Sequence, residues 1–188
     1  MLGINEILLN ANSWSELVET LSGLGSTPEH NKLKGEVFER LTQYYFSVQP
    51  LFKSGFRKIW HHSEAPIAIR DHLGLPSPEI GVDLIAEVYD GTYCAIQCKF
   101  HQDPNVNVTY NELKTFFSVT ERHNTFSKLS HRIVATSAES VSNNVFKVHK
   151  EKLGIVSVEE FQQLDGEAFK KIHAAIEGEK ISFLPFSP

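Results

Sequence analysis

Ile80 to Lys99, IGVDLIAEVYDGTYCAIQCK, reads as a β-hairpin with polar chemistry in both arms. Val82 to Tyr89 is a strand-like run, Thr92 to Phe100 is a second one rich in Tyr, Ile and Phe, and Asp90-Gly91 between them is a strong turn signal. A strand that looks central nevertheless carries Asp83, and its neighbour carries Gln97 and Lys99. Side chains alternate along a strand, so Gln97 and Lys99 share one face of the sheet.

Whether Asp83 joins them depends on the turn. A two-residue loop of Asp90 and Gly91 pairs Asp83 with Cys98, whose side chain points to the other face. A three-residue loop over Tyr89, Asp90 and Gly91, with Gly91 left-handed, pairs Asp83 with Gln97. Only the odd-numbered loop, or a compensating bulge, gathers the three polar groups, and the chemistry therefore predicts it.

A carboxylate, an amide oxygen and an ammonium on one sheet face suit Mg²⁺-assisted phosphodiester hydrolysis. Asp83 and the Gln97 side-chain oxygen are hard donors for Mg²⁺, which keeps several waters and binds through few protein ligands plus substrate phosphate. Lys99 supplies a point charge that orients or deprotonates the attacking water, or that stabilises charge growing on the phosphate.

Gly81-Val82-Asp83-Leu84 followed by Gln97-Cys98-Lys99 resembles the PD-(D/E)xK nuclease superfamily in its Mrr-like branch, where Gln replaces the usual acid of the second motif. Upstream, KGEVFERL (residues 34–41) resembles that branch's first-helix motif, in which the acid before Arg, here Glu39, is often a metal-site residue. The blocks KGEVFERL, GVDLIAEVYDG and YCAIQCKF look like the N-terminal nuclease domain of the Type ISP restriction-modification enzymes, with the similarity spanning roughly residues 34 to 140. The resemblance implies a mixed central β-sheet flanked by helices, an α/β restriction-endonuclease-like core. It implies a DNA endonuclease using Mg²⁺, with Mn²⁺ able to substitute and no organic cofactor. It implies that Asp83, Gln97, Lys99 and Glu39 carry catalysis, with Asp83, Gln97 and Glu39 holding the metal. It also implies motor, methyltransferase and target-recognition domains on a longer polypeptide; the present chain has no GxxxxGK[ST] phosphate loop.

Two departures matter. Gly81-Val82 stands where the nominal motif has proline, and neutral Gln97 leaves the site one negative charge short, so substrate phosphate is expected to help hold the metal. The same residues are compatible with a junction-resolving or RNA-cleaving nuclease. An inactive nucleic-acid-binding module on this fold would have no reason to keep Asp83, Gln97 and Lys99 together.

Composition fits this reading. The chain has 188 residues, 41% hydrophobic and 22% charged, as expected of one globular domain. No apolar run approaches the ~18 residues of a membrane span, and MLGINEILLN lacks the basic region of a signal peptide. Cys94 and Cys98 lie too far apart along one strand for an easy disulfide, so reduced thiols and a cytoplasmic setting are expected. A formal charge of −5 argues that DNA contacts are local or supplied by other domains.

In chain order, Ser13 with Glu16 forms a capping box before a helix over 13–24, and Thr27-Pro28 starts a helix running to Ser47 with Leu33, Val37, Leu41, Tyr44 and Val48 as its apolar stripe. Residues 1–26 read as a helical extension, 27–178 as the nuclease domain and 179–188 as a tail or linker. Lys58 to His61 is the first strand, in a basic, aromatic stretch with Lys53, Arg57 and Trp60. His61-His62 is a poor zinc motif, because neighbours on a strand face opposite ways and no Cys or further His lies at a zinc spacing. Residues 67–78 read as a loop carrying Arg70 towards DNA, and Glu79 as an acid on the rim of the site. The polar segment HQDPNVNVTYNE reads as a loop beside it, with His101 and Gln102 within reach of substrate. A helix from Tyr110 to Arg122, a strand from Arg132 to Thr136, a helix over 143–152, a strand over 154–158 and a helix over 159–177 complete the chain, and the strand-helix-strand order after the hairpin implies a right-handed crossover to a parallel neighbour.

Overall fold

The computed structural model describes residues 3–53 and 55–182. A five-stranded mixed sheet runs in the order β1 (Phe56–His61), β2 (Leu84–Val88), β3 (Tyr93–Lys99), β5 (Leu129–Thr136), β7 (Leu153–Val156). The first three strands pair antiparallel, and β5 and β7 join them parallel. A separate two-stranded parallel ladder joins β4 (Asn107–Val108) to β6 (Ser140–Val141). The helices are α1 (Ile4–Asn10), α2 (Trp14–Gly23), α3 (Pro28–Val48), α4 (Pro50–Lys53), α5 (Ile67–Leu73), α6 (Tyr110–Thr120), α7 (His123–Phe126), α8 (Asn143–His149), α9 (Val158–Gln162) and α10 (Gly166–Ser182), with a 3₁₀ turn over His62–Glu64. The result is the restriction-endonuclease-like α/β architecture.

The alternation of apolar residues along the hairpin builds two cores, one on each face of the sheet. Leu84, Ala86, Cys94, Ile96 and Cys98 face the α3 side, while Ile85 and Ala95 face the α6 side with Leu113, Phe116 and Phe117. Thr27 caps α3 and Pro28 opens it, as expected. The stripe Leu33, Val37, Leu41, Tyr44 is buried against the sheet, and Phe38, Tyr45 and Phe46 are buried as well, because α1 and α10 cover α3 from a second side. The first two helices therefore share one core with α3, and the helical extension expected over 1–26 holds a second helix, α1, ahead of the one placed over 13–24.

Three expectations are corrected. Residues 67–73 form α5 rather than a loop: Pro66 precedes the helix and Gly74, at φ +64°, ends it, and one short turn-rich segment shows little periodicity. The helix over 159–177 is two helices, because buried Leu164 turns the chain inward and the Asp165 side chain accepts from Ala168 N to start α10. The helix over 143–152 stops at His149, since Lys152 adopts φ +57° to turn into β7 while its ammonium donates to Phe126 O and Leu129 O. The polar segment after β3 also contains a strand, β4. The ends of the tail, residues 183–188, lie outside the described residues. Cys94 and Cys98 are unpaired and buried, and no helix among the described residues is long and apolar enough to cross a membrane.

Candidate active site

Backbone geometry at the hairpin turn sets the site. Val88 N donates to Thr92 O at 2.9 Å and Gly91 N to Val88 O at 3.0 Å, closing a three-residue loop of Tyr89, Asp90 and Gly91. Gly91 has φ +85°, a conformation that L side chains resist. Asp90 Oδ1 accepts from Thr92 N and Thr92 Oγ1 and stiffens the turn. The register that follows pairs Leu84 with Ile96 and Ala86 with Cys94; continued one residue beyond the ladder, it sets Asp83 against Gln97. The odd-numbered loop is the one observed.

Just beyond Leu84 the ladder changes character. The next exchange in this register would link Cys98 with Val82. Instead Cys98 N donates to Asp83 Oδ2 at 2.6 Å, and Val82 O meets the buried His62 ring at 3.0 Å. Asp83 N donates to Ile96 O at 2.9 Å. The carboxylate thus caps the end of the ladder, and Gln97 Nε2 donates to the same Oδ2 at 2.5 Å. Two acceptors, Asp83 Oδ2 and Cys98 O, fix the amide with its nitrogen towards Asp83. Gln97 Oε1 is left with no hydrogen-bond partner among the described residues.

Both side chains are nearly buried, Asp83 at 6% and Gln97 at 5% exposure. Burial is the main cause that pushes the Asp83 carboxyl well above its ordinary value; the charge of Glu39 and a hydrogen bond to the Glu79 carboxyl add to it, while the Cys98 N–H opposes them. Glu39, on α3, therefore comes within electrostatic reach of Asp83. Lys99, the last residue of β3, lies on the Gln97 face; its ammonium acts on the Glu112 carboxyl of α6 and makes no hydrogen bond among the described residues. The structure joins Asp83 to Gln97 directly; Glu39 acts on Asp83 through its charge, and Lys99 ends the strand that carries Gln97.

Other candidates are engaged elsewhere. His101 Nε2 lies 2.9 Å from Glu112 Oε1, and Gln102 Oε1 accepts from the buried Lys34 ammonium at 3.1 Å. Arg57 pairs with Glu87 at 3.6 Å, and Lys58 sits over the Trp60 ring. Arg70 belongs to α5, with its Nε buried and unpartnered. Glu79 is exposed, as expected of a rim position, but reaches Asp83.

What the sequence hid is the pair of histidines. His61 Nε2 is 2.8 Å from Glu39 Oε2, and its Nδ1 is 3.1 Å from Ser63 Oγ. The Glu39 hydrogen bond raises the His61 pKa against the opposing effect of burial. His62 turns the other way, its ring held between Val82 O and Pro76 O under the loop that leads to Asp83. The available signal was the period-2 argument: two adjacent histidines on a strand end serve two different faces.

Among the described residues, no three His, Cys, Asp or Glu side chains are grouped so as to hold a metal ion by themselves.

The chain spans 8% of the ATP-dependent Type ISP restriction-modification enzyme LlaBIII bound to DNA, a solved structure that covers 80% of this chain at 21% identity and a TM-score of 0.58. The DNA modification-dependent restriction endonuclease AspBHI covers 86% of this chain and is covered to 42%, at 13% identity and a TM-score of 0.37. No curated protein matches the chain. A restriction endonuclease family model, Mrr_cat_2, matches residues 47–174, a segment that includes Asp83, Gln97 and Lys99 and begins after Glu39. The chain belongs to that restriction endonuclease family.

Proposed function

We propose that this chain is a divalent-metal-dependent DNA endonuclease domain that hydrolyses one phosphodiester per active site. The observation that carries the reading is the capped hairpin end, where Asp83 and Gln97 are locked against each other and Gln97 Oε1 has no hydrogen-bond partner among the described residues. The donor set fits a hard cation. Burial, with the nearby charges of Glu39 and Glu79, holds Asp83 towards its protonated form, and a divalent cation beside it would offset that cost. Glu39, Asp83 and Gln97 Oε1 are the groups that would hold it. When bound, the cation supplies a polarised water and neutralises charge on the scissile phosphate. With only two carboxylates and an amide in the set, the substrate's own phosphate would help hold the cation.

The remaining chemistry belongs to the chain. The sheet fixes Asp83 through two N–H donors, so no side-chain reorganisation is needed on substrate binding. Lys99 holds the attacking water or meets the charge developing on the phosphate. A single site nicks one strand; a double-strand break takes two chains or two events. By its likeness to an ATP-dependent Type ISP enzyme, of which it spans a small fraction, the domain works beside motor, methyltransferase and target-recognition domains that bring DNA to it. In the cytoplasm Mg²⁺ is the cation at hand.

The test is nicking of supercoiled plasmid in Mg²⁺ or Mn²⁺ by the wild type, Asp83→Ala and Lys99→Ala. The reading expects open-circular product from the wild type and at least about a hundredfold loss in each variant. Equal nicking by all three would defeat it.

A further inference from the structure

Resting on the reading of Glu39 as a metal-holding carboxylate, we infer that His61, backed by Ser63, is a positioning residue that fixes the Glu39 side chain in its working rotamer. A glutamate on a helix has three rotatable bonds and loses its freedom only where something grips the head group. Here the grip comes from the sheet. His61 closes β1, opposite Leu84, one residue from Asp83 in the register. Its Nε2 meets Glu39 Oε2 at 2.8 Å, and Ser63 Oγ at 3.1 Å from Nδ1 holds the ring from behind. Nothing else among the described residues bonds the Glu39 carboxylate, so Oε1 stays available while Oε2 is tied. The His61 and Glu39 side chains are largely sheltered, at 19% and 20% exposed.

The contact is not needed to hold α3 on the sheet. Arg40, the next residue, clasps both oxygens of Glu64 at 2.7 and 3.2 Å, and Gln43 Nε2 donates to Ile59 O at 3.3 Å. These two links, from the residues that follow Glu39 on α3, dock helix, strand and 3₁₀ turn without it. Removing the imidazole therefore frees one carboxylate and leaves the scaffold.

The test uses the whole chain and Mn²⁺ as the probe. Thermal stability is followed as a function of Mn²⁺ concentration without DNA, which reports weak binding through ligand linkage. In parallel, the Mn²⁺ concentration giving half-maximal nicking is measured. His61→Leu removes the donor at similar volume; His61→Gln returns an N–H donor to the Nε2 position. Glu39→Gln and Asp83→Asn serve as controls. The inference expects about tenfold weaker Mn²⁺ binding in His61→Leu, with half-maximal nicking shifted equally and the rate at saturating Mn²⁺ little changed. It expects His61→Gln to recover most of the loss, and metal-free melting temperatures close to wild type in both. If Glu39→Gln weakens Mn²⁺ binding but His61→Leu does not, the positioning role is wrong and the proposed function stands. If His61→Leu and His61→Gln lose affinity alike, the hydrogen bond is not the cause and the inference fails. If neither Glu39→Gln nor Asp83→Asn alters Mn²⁺ binding, the metal-site reading itself falls, and this inference with it.

Discussion

Gln97 Nε2 donates to Asp83 Oδ2 at 2.5 Å across the open end of the hairpin, while the backbone N–H of Cys98 donates to the same oxygen at 2.6 Å. An amide thus stands where a second acid would face Asp83 directly. Its two ends differ: the nitrogen neutralises part of the Asp83 lone-pair demand, and the oxygen adds a donor for a cation without adding charge. On the proposed reading, the pair is held in place in advance of any ligand, at the expense of one negative charge.

Gln97→Glu reverses that arrangement. The substitution replaces the donor with an acceptor against a buried carboxylate already crowded by Glu39 and Glu79. The metal-free protein should lose about 2–3 kcal/mol, which for a chain of this size is a fall of roughly 4–12 °C in melting temperature. Saturating Mn²⁺ should recover more stability in this variant than in the wild type, because a third carboxylate then coordinates. Thermal melts with and without Mn²⁺ check both; an unchanged metal-free melting temperature would contradict the hydrogen-bond assignment.

Asp83→Asn moves stability the other way. The amide oxygen still accepts from Cys98 N and Gln97 Nε2, but the buried charge is gone. In the wild type, burial first and then Glu39 and Glu79 hold the folded-state pKa above the unfolded one. Folding thus favours the protonated acid, a contribution complete below about pH 4 and lost as pH rises through the folded value. The variant should accordingly match the wild type in acid and exceed it near neutrality, by about 1 kcal/mol or a few degrees, while nicking is abolished. Melting curves from pH 4 to 8 without metal measure this; a variant less stable than wild type at pH 7 would contradict it.

These effects trace back to features of unequal legibility in the sequence. Asp83, Gln97 and Lys99 were visible because a period of two and a Gly91 turn leave one register that unites them. Glu39 was visible as a motif residue, but not its partner: His61 contacts it across 22 positions of sequence separation, and that pairing exists only once α3 is laid on the sheet. The helix α5 was hidden because seven residues between Pro66 and Gly74 offer barely two turns of periodicity. The break between α9 and α10 was hidden for a different reason, since a side-chain cap from Asp165 competes locally with helix continuation.

Gly81 carries a constraint that is invisible in one dimension. It has φ +78°, and a Cβ there would lie 2.8 Å from both the Phe116 nitrogen and the Thr115 carbonyl carbon, backbone atoms of α6 that cannot swing aside. The close approach seats the segment before Asp83 against α6. Gly81→Ala should destabilise the fold by more than about 2 kcal/mol and reduce nicking even at temperatures where the variant stays folded, since Asp83 is displaced with the segment. Gly91→Ala is the comparison: its φ is also positive, +85°, but no atom lies within 4 Å, so only the conformational cost of about 1 kcal/mol applies. Denaturant unfolding of the two variants checks the difference; equal losses would show that contact with α6 is not what matters.

Arg132 gives a control far from the chemistry. It lies on the strand face that ends at Thr136, with Ala95 and not Lys99 as its β3 partner. Only 1% exposed, it donates to Glu121 Oε1 at 2.8 Å and to the carbonyls of His149 and Glu151. Glu121 also meets His149 Nδ1 at 2.7 Å. Desolvation works to raise the Glu121 pKa, but the hydrogen bonds from His149 and Arg132 outweigh it and hold the carboxyl below its ordinary value. Stability from this source is present above the unfolded pKa and is lost as pH falls through the folded one. Glu121→Gln leaves a buried guanidinium without its counter-charge. Because Glu121 is partly exposed, screening limits the loss to about 1–2 kcal/mol. The melting temperature should drop by several degrees at pH 7, the gap should close towards pH 4, and Mn²⁺-dependent nicking at a temperature well below the melt should equal that of the wild type. A loss of nicking in a fully folded Glu121→Gln protein would mean that this end of the sheet communicates with the hairpin site, and would require a catalytic model larger than the four residues gathered there.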